Sequence, residues 1–169
     1  MNLSSVETSI YHFLQRSPFD LGYFHPYFVD FAVVLPIMAL FFHFVSVLTV
    51  TNESVNRGYQ NGANLMFFGS FVMVILAYLS GIAQKGTLNA ISSKEVQAHF
   101  DAHASLGTYL ALAFCILFCL KIISLLVKKD ALRYLFGTFF FFIVLLLIYQ
   151  DVLGVGLVYD YGVGVSIAE

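Results

Sequence analysis

The residues best suited to chemistry in this 169-residue sequence are its histidines, because an imidazole can ligate a metal ion or a haem iron. His99 and His103 are four residues apart, so both side chains would project from one face of a helix. That spacing suits a metal chelate, and it equally suits one haem ligand with a hydrogen-bonding partner. His25 precedes Pro26 at the start of a long apolar run, where proline favours a helix N-terminus. The other two histidines are His12 and His43.

The elements that must position these histidines are membrane helices. Apolar residues make up 60% of the chain and charged residues 11%, whereas a soluble domain has about 25% charged residues. Four apolar stretches reach the length of about 20 residues that a spanning helix needs. The sequence therefore predicts an all-α fold, an integral membrane four-helix bundle. The predicted spans are approximately 27–50, 65–83, 103–127 and 134–153.

The rest of the chain is predicted to flank this bundle within a single transmembrane domain, 1–169. Residues 1–24 are predicted to be an interfacial segment with a short amphipathic helix, and 52–64 a polar linker. Residues 92–95 read Ser-Ser-Lys-Glu, a capping pattern that would begin the third helix about two turns before the membrane. The Gly/Tyr-rich stretch 154–169 is predicted to be a tail that crosses the end of the bundle.

Several function classes are excluded by composition. A net charge of −2 argues against a nucleic-acid partner. Cys115 and Cys119 lie within one apolar run, so they form neither a disulfide framework nor a zinc ribbon. No serine or cysteine stands beside a plausible base, so the sequence offers no catalytic residue. An electron-transfer or accessory subunit is therefore favoured over a stand-alone enzyme.

The polar residues are predicted to gather at one side of the membrane. Antiparallel neighbours bring the starts of the first and third spans to the same face as the ends of the second and fourth. Four histidines and eight of the ten acidic residues then fall on that face, whereas His43 lies about 27 Å from His25 along the first helix. Asp30 lies within the first apolar helix, where a carboxylate needs a partner. Tyr159 and Tyr161 are placed to cover this polar group.

Three functions remain open from the residues. In the first, His25 and His103 are the axial ligands of one b-type haem, and His99, Asp30 and Tyr159 support the ligands or the haem propionates. The second is a non-haem site for zinc, copper or iron, built from His25, Asp30, His99 and His103. The third is a structural accessory subunit that binds no cofactor.

Four short motifs occur in order along the chain. His-Pro begins the first helix at His25, Ser80-Gly81 ends the second, a histidine opens the third at His103, and Leu-Val-Tyr-x-Tyr-Gly-Val-Gly-Val closes the sequence over 157–165. In these motifs the chain resembles a family of small bacterial four-helix membrane proteins of unknown function. Its members are sometimes fused to Rieske-type or cytochrome domains, and the resemblance therefore implies electron transfer and a b-type haem. Asp30 stands where that family usually has a second histidine.

Orientation and partners follow from the basic residues. Five of the eight Lys and Arg residues, with Lys121 reaching to the interface, fall on the face opposite the histidines. The positive-inside rule then puts both termini in the periplasm, in a multi-pass protein of the bacterial inner membrane. The expected partners are the lipid bilayer and a redox partner or the subunits of a respiratory complex.

Overall fold

The computed structural model describes residues 3–14, 16, 21–85, 93–127 and 129–163, and all regular structure in these ranges is helical. Four of the helices are long and apolar enough to cross a membrane, which confirms the predicted all-α membrane fold. The elements in chain order are α1 (Leu3–Leu14), a short 3₁₀ turn (Leu21–Phe24), α2 (His25–Leu48), α3 (Glu53–Lys85), α4 (Lys94–Val127) and α5 (Asp130–Tyr159).

The four long helices form a closed ring in chain order. Each packs on its neighbour in sequence, and α2 also packs on α5, so the last helix returns to the first. Short connections make successive helices antiparallel. The starts of α2 and α4 therefore meet the ends of α3 and α5 at one end of the bundle, here named the His25 end. The opposite end is named the His43 end.

The centre of the bundle is packed with aromatic rings. The side chains of Phe67, Phe114, Phe136 and Phe140 are almost completely buried. Phe67 meets Phe136 and Phe140 edge-on, with ring centroids 5.0 and 5.4 Å apart. Edge-to-face pairs of this kind add about 0.5–1.5 kcal/mol each to the energy of burial. They tie α3 to α5 inside the bundle.

Helix α3 begins about three turns before its predicted span, and the prediction of a polar linker over 52–64 was wrong. The side-chain oxygen of Asn52 accepts hydrogen bonds from the Val55 amide (3.3 Å) and the Ser54 hydroxyl (3.1 Å), which caps the helix. Asn56 donates from its side chain to the Ser46 carbonyl at 2.7 Å and is buried. The polar residues here are therefore used in helix contacts, not in a loop.

Helix α5 also exceeds its predicted span. It continues through Gly154 and Gly156 to Tyr159, so the predicted tail begins with about one and a half turns of helix. The chain then turns at Gly162, whose φ of 66° is a conformation that favours glycine. Residues 164–169 of the predicted tail lie outside the described residues. The start of α4 agrees with the sequence, since Lys94 follows Ser93, whose hydroxyl accepts the Val96 amide at 3.4 Å.

The outer surface of the spans is apolar. Large side chains such as Leu65, Ile116 and Leu126 are more than two-thirds exposed, as expected of helices that face lipid. Lys121 departs from its predicted role, because its side chain does not reach to the interface. It is 7% exposed, and its Nζ lies 4.6 Å from the centroid of the Phe136 ring. The face of an aromatic ring attracts a cation, and this contact holds the ammonium inside the bundle.

Candidate cofactor site

A cavity of about 550 Å³ opens at the His25 end of the bundle. This volume lies in the range of small-molecule and cofactor sites, about 300–1,000 Å³. Its walls are mostly apolar and come from α1 and all four spanning helices. The carboxylate, imidazole and carboxamide side chains among them are Glu7, His25, Asp30, Gln84, His103, Gln150 and Asp151. Two of the predicted ligands, His25 and His103, thus face one cavity from different helices.

His25 is held against α3 by a serine and a glycine. Its Nδ1 lies 2.9 Å from the Ser80 hydroxyl oxygen, and that hydroxyl donates to the Ala77 carbonyl at 2.9 Å. Because the serine proton is used there, the Ser80 oxygen accepts from Nδ1–H, and the lone pair of the ring is left on Nε2. The ring also lies over Gly81, where an added Cβ would come within 3.1 Å of its Cε1.

His103 is held against α5 in a similar way. The side-chain amide of Gln150 donates to the His103 carbonyl at 2.9 Å and lies 3.4 Å from the ring Nε2. A Cβ added at Gly154 would approach the ring Cε1 to 3.0 Å. His103 Nδ1 is buried without a hydrogen-bond partner, as is the side-chain oxygen of Gln150. An unpartnered buried polar atom costs about 1–3 kcal/mol, so this ring is suited to a ligand.

His99 does not share the cavity with these two histidines among the residues that the structure describes. Its Nε2 donates to the Leu153 carbonyl at 3.2 Å, so the ring faces α5. Tyr161 covers it, with ring centroids 5.4 Å apart, and donates its hydroxyl to a Glu95 carboxylate oxygen at 3.3 Å. The Glu95 charge raises the pKa of Tyr161. Tyr161 therefore covers a histidine, as expected, but outside the cavity.

Asp30 and Tyr159 lie at the rim. Asp30 is exposed on α2 and interacts electrostatically with Asp151 of α5, so two carboxylates face the opening between these helices. Tyr159 borders the cavity, yet its side chain is 83% exposed. The structure thus brings Asp30 near a second carboxylate, and it leaves Tyr159 at the edge of the polar group that it was expected to cover.

Helix α1 closes part of the cavity with an acidic side chain. A carboxylate oxygen of Glu7 accepts hydrogen bonds from the Thr108 hydroxyl of α4 (3.0 Å) and from the Tyr78 hydroxyl of α3 (3.4 Å). The prediction of a short amphipathic helix within residues 1–24 assigned no role in the site to Glu7. The remaining histidines are distant: His12 is exposed on α1, and His43 is buried at the opposite end.

No three His, Cys, Asp or Glu side chains within 3–14, 21–85, 93–127 and 129–163 form a group that could hold a metal ion. The four residues of the predicted non-haem site, His25, Asp30, His99 and His103, all lie in these ranges. His99 faces α5, so the set is not brought to one point. A cofactor that needs only two protein ligands does not require such a group of three, and His25 and His103 line the same cavity.

A family model described as "predicted membrane protein (DUF2231)" matches residues 23–167, which is most of the chain. The chain belongs to this family. The DUF2231 match covers all four spanning helices and the cavity, and it agrees with the resemblance noted from the sequence to a membrane family of unknown function. No curated protein and no solved structure matches the chain. This DUF2231 protein is thus a multi-pass membrane protein with a histidine-lined cavity.

Sequence reasoning missed the residues that hold the two imidazoles. Gly154 was assigned to a tail because glycine is common in loops, whereas it is the surface on which His103 lies. Ser80 and Gly81 were recognised as a motif at the end of the second span, but not as the residues that contact His25. Their depth in the membrane was the available signal, because Ser80, Gly81 and Gly154 all lie near the membrane face that was predicted to carry the histidines.

Proposed function

We propose that this DUF2231 protein is a b-type haem-binding electron-transfer module of the bacterial inner membrane and a candidate subunit of a respiratory complex. One observation carries the proposal: His25 and His103, from two different helices, line the same cavity of about 550 Å³. Haem in a membrane bundle is held by imidazoles from facing helices. The haem would supply one-electron chemistry at a potential that its axial ligands set.

His25 is prepared to act as a ligand by its hydrogen bond to Ser80. A ligating histidine usually donates its other ring N–H to a neighbouring group, which fixes both the tautomer and the orientation of the ring. Ser80 takes that role here, and the lone pair on Nε2 is the one that an iron would use.

His103 supports the proposal through its unpartnered Nδ1. A bound group at this imidazole would offset the cost of the buried polar atom. Gly81 and Gly154 contribute by leaving space beside the two rings. The carboxylates of Asp30 and Asp151 lie at the rim, where they make that side of the cavity polar.

The absorption spectrum of the purified full-length protein, oxidised and dithionite-reduced, tests this function. We expect a Soret band and a sharp α-band on reduction. His103→Ala and His25→Ala should each remove the haem or make it high-spin, whereas His12→Gln, at an exposed position on α1, should leave the spectrum unchanged. A protein without haem that holds a stoichiometric metal would favour the non-haem alternative. A protein that holds neither haem nor a metal would overturn both cofactor proposals and favour a structural accessory subunit.

A further inference from the structure

At the His43 end, three basic side chains from three helices lie together: His43 of α2, Lys121 of α4 and the half-buried Arg133 of α5. We name them the basic cluster. His43 is 9% exposed and Lys121 is 7% exposed, so both are largely removed from water. A buried cation is costly unless an anion or a strong dipole compensates its charge. The haem proposal makes no use of these residues.

The cluster is held in place by contacts to α2 and α5. Arg133 donates from Nη2 to the Ser46 hydroxyl oxygen at 3.0 Å, and that hydroxyl donates to the His43 carbonyl at 2.6 Å. Lys121 lies over the Phe136 ring. His43 meets the same ring edge-on, with centroids 5.9 Å apart. The side chains of His43 and Lys121 therefore meet at the Phe136 ring, and Arg133 is joined to the same part of α2 through Ser46.

No carboxylate neutralises this group among the described residues. The charged side chains that interact with His43 are Lys121 and Arg133, and Arg133 also interacts with Lys121. The acidic residues at this end are exposed: Asp130 begins α5, and Glu53 is paired with Arg57 at 2.6 Å on the outside of α3. That is the one ion pair in the described ranges. The basic cluster thus carries an excess of positive charge.

We infer that the basic cluster binds a phosphate-class anion, either the phosphodiester of an anionic lipid headgroup or free inorganic phosphate. A guanidinium has a planar fork of donors that fits phosphate oxygens, and an ammonium adds a point charge. Lys121 is six residues from the end of α4, about 9 Å along the helix, so the cluster lies closer to the His43 end of the bundle than to its middle. Basic pockets between helices at the cytoplasmic side bind anionic lipids in this way.

Thermal unfolding of the purified full chain in detergent tests the inference. Phosphatidylglycerol is titrated against phosphatidylcholine, and sodium phosphate against sodium chloride at equal ionic strength. We expect phosphatidylglycerol to raise the unfolding temperature more than phosphatidylcholine does. Lys121→Gln and Arg133→Gln should each weaken the apparent affinity about fivefold, the effect of one basic group near a lipid surface.

Arg57→Gln is the matched control, because Arg57 is an exposed basic residue near the same end and should leave the affinity unchanged. A response to inorganic phosphate as large as that to the lipid would assign the site to free phosphate. Wild-type protein that responds equally to both lipids and to both salts would overturn the inference, whether or not the variants fold. Variants that keep wild-type affinity would also overturn it.

Discussion

Four of the five histidines rest on a glycine of a neighbouring helix, at both ends of the bundle. Each imidazole occupies the space that a side chain at the glycine would need, so these residues fix both the ring positions and the distance between helices. The pairs are His25–Gly81, His43–Gly137, His99–Gly156 and His103–Gly154.

The closest of these pairs predicts a large effect of one added methyl group. In Gly137→Ala, the new Cβ would clash with His43 Nε2, so the ring must move. We expect the variant to lose about 1–3 kcal/mol of stability, the usual cost of overpacking. Thermal or denaturant unfolding in detergent measures the change.

Gly58→Ala is the control for that prediction, since a Cβ at this exposed position in α3 meets nothing within 4 Å. Alanine is the better helix former, so this variant should gain about 0.5–1 kcal/mol. If Gly137→Ala unfolds at or above the temperature of Gly58→Ala, the close contact with His43 is not a constraint on the fold.

These pairs mark the limit of prediction at the residue scale. The sequence identified His25 and His103 as candidate ligands because membrane histidines are rare and their depths could be compared. The glycines carry no such signal, because Gly154 by its type is as compatible with a loop as with a close helix contact. Only the packing of α5 on α4 distinguishes the two.

At the scale of elements, α1 is attached to the bundle through Glu7. Its carboxylate accepts hydrogen bonds from Thr108 and Tyr78, on two different spanning helices. Glu7→Ala removes both acceptors, and we expect α1 to detach more often from the bundle. Faster amide hydrogen exchange over 3–14 would measure this. His12→Ala, at an exposed position on the same helix, should leave exchange unchanged. Equal exchange in both variants would mean that apolar contacts alone hold α1.

Helix boundaries were predictable where apolar content decided them and not where tertiary contacts did. The start of α4 followed from a serine cap, and the four spans followed from hydropathy. The first three turns of α3 did not, because their Asn and Gly residues favour loops. Asn56 offsets that preference by bonding to the end of α2.

At the scale of the whole molecule, the order of the helices was predictable from short connections, and the ring closed by α2 and α5 agrees with it. The orientation of the helix bundle across the membrane is predicted from the basic residues alone. Fusion of alkaline phosphatase to the C-terminus should give an active reporter, because the positive-inside rule puts that end in the periplasm. A reporter that fluoresces only in the cytoplasm is the control and should give no signal. An inactive phosphatase together with a fluorescent reporter would show that the C-terminus lies in the cytoplasm.

The two ends of the bundle carry opposite charge, with the Asp30 and Asp151 carboxylates at one and the buried Lys121 with Arg133 at the other. The protein is therefore an electric dipole along the membrane normal. In the predicted orientation its positive pole faces the negatively charged interior of an energised cell. Moving one elementary charge across the full membrane against a potential of 100 mV costs about 2.3 kcal/mol. Respiration itself would then help to hold the bundle in its orientation.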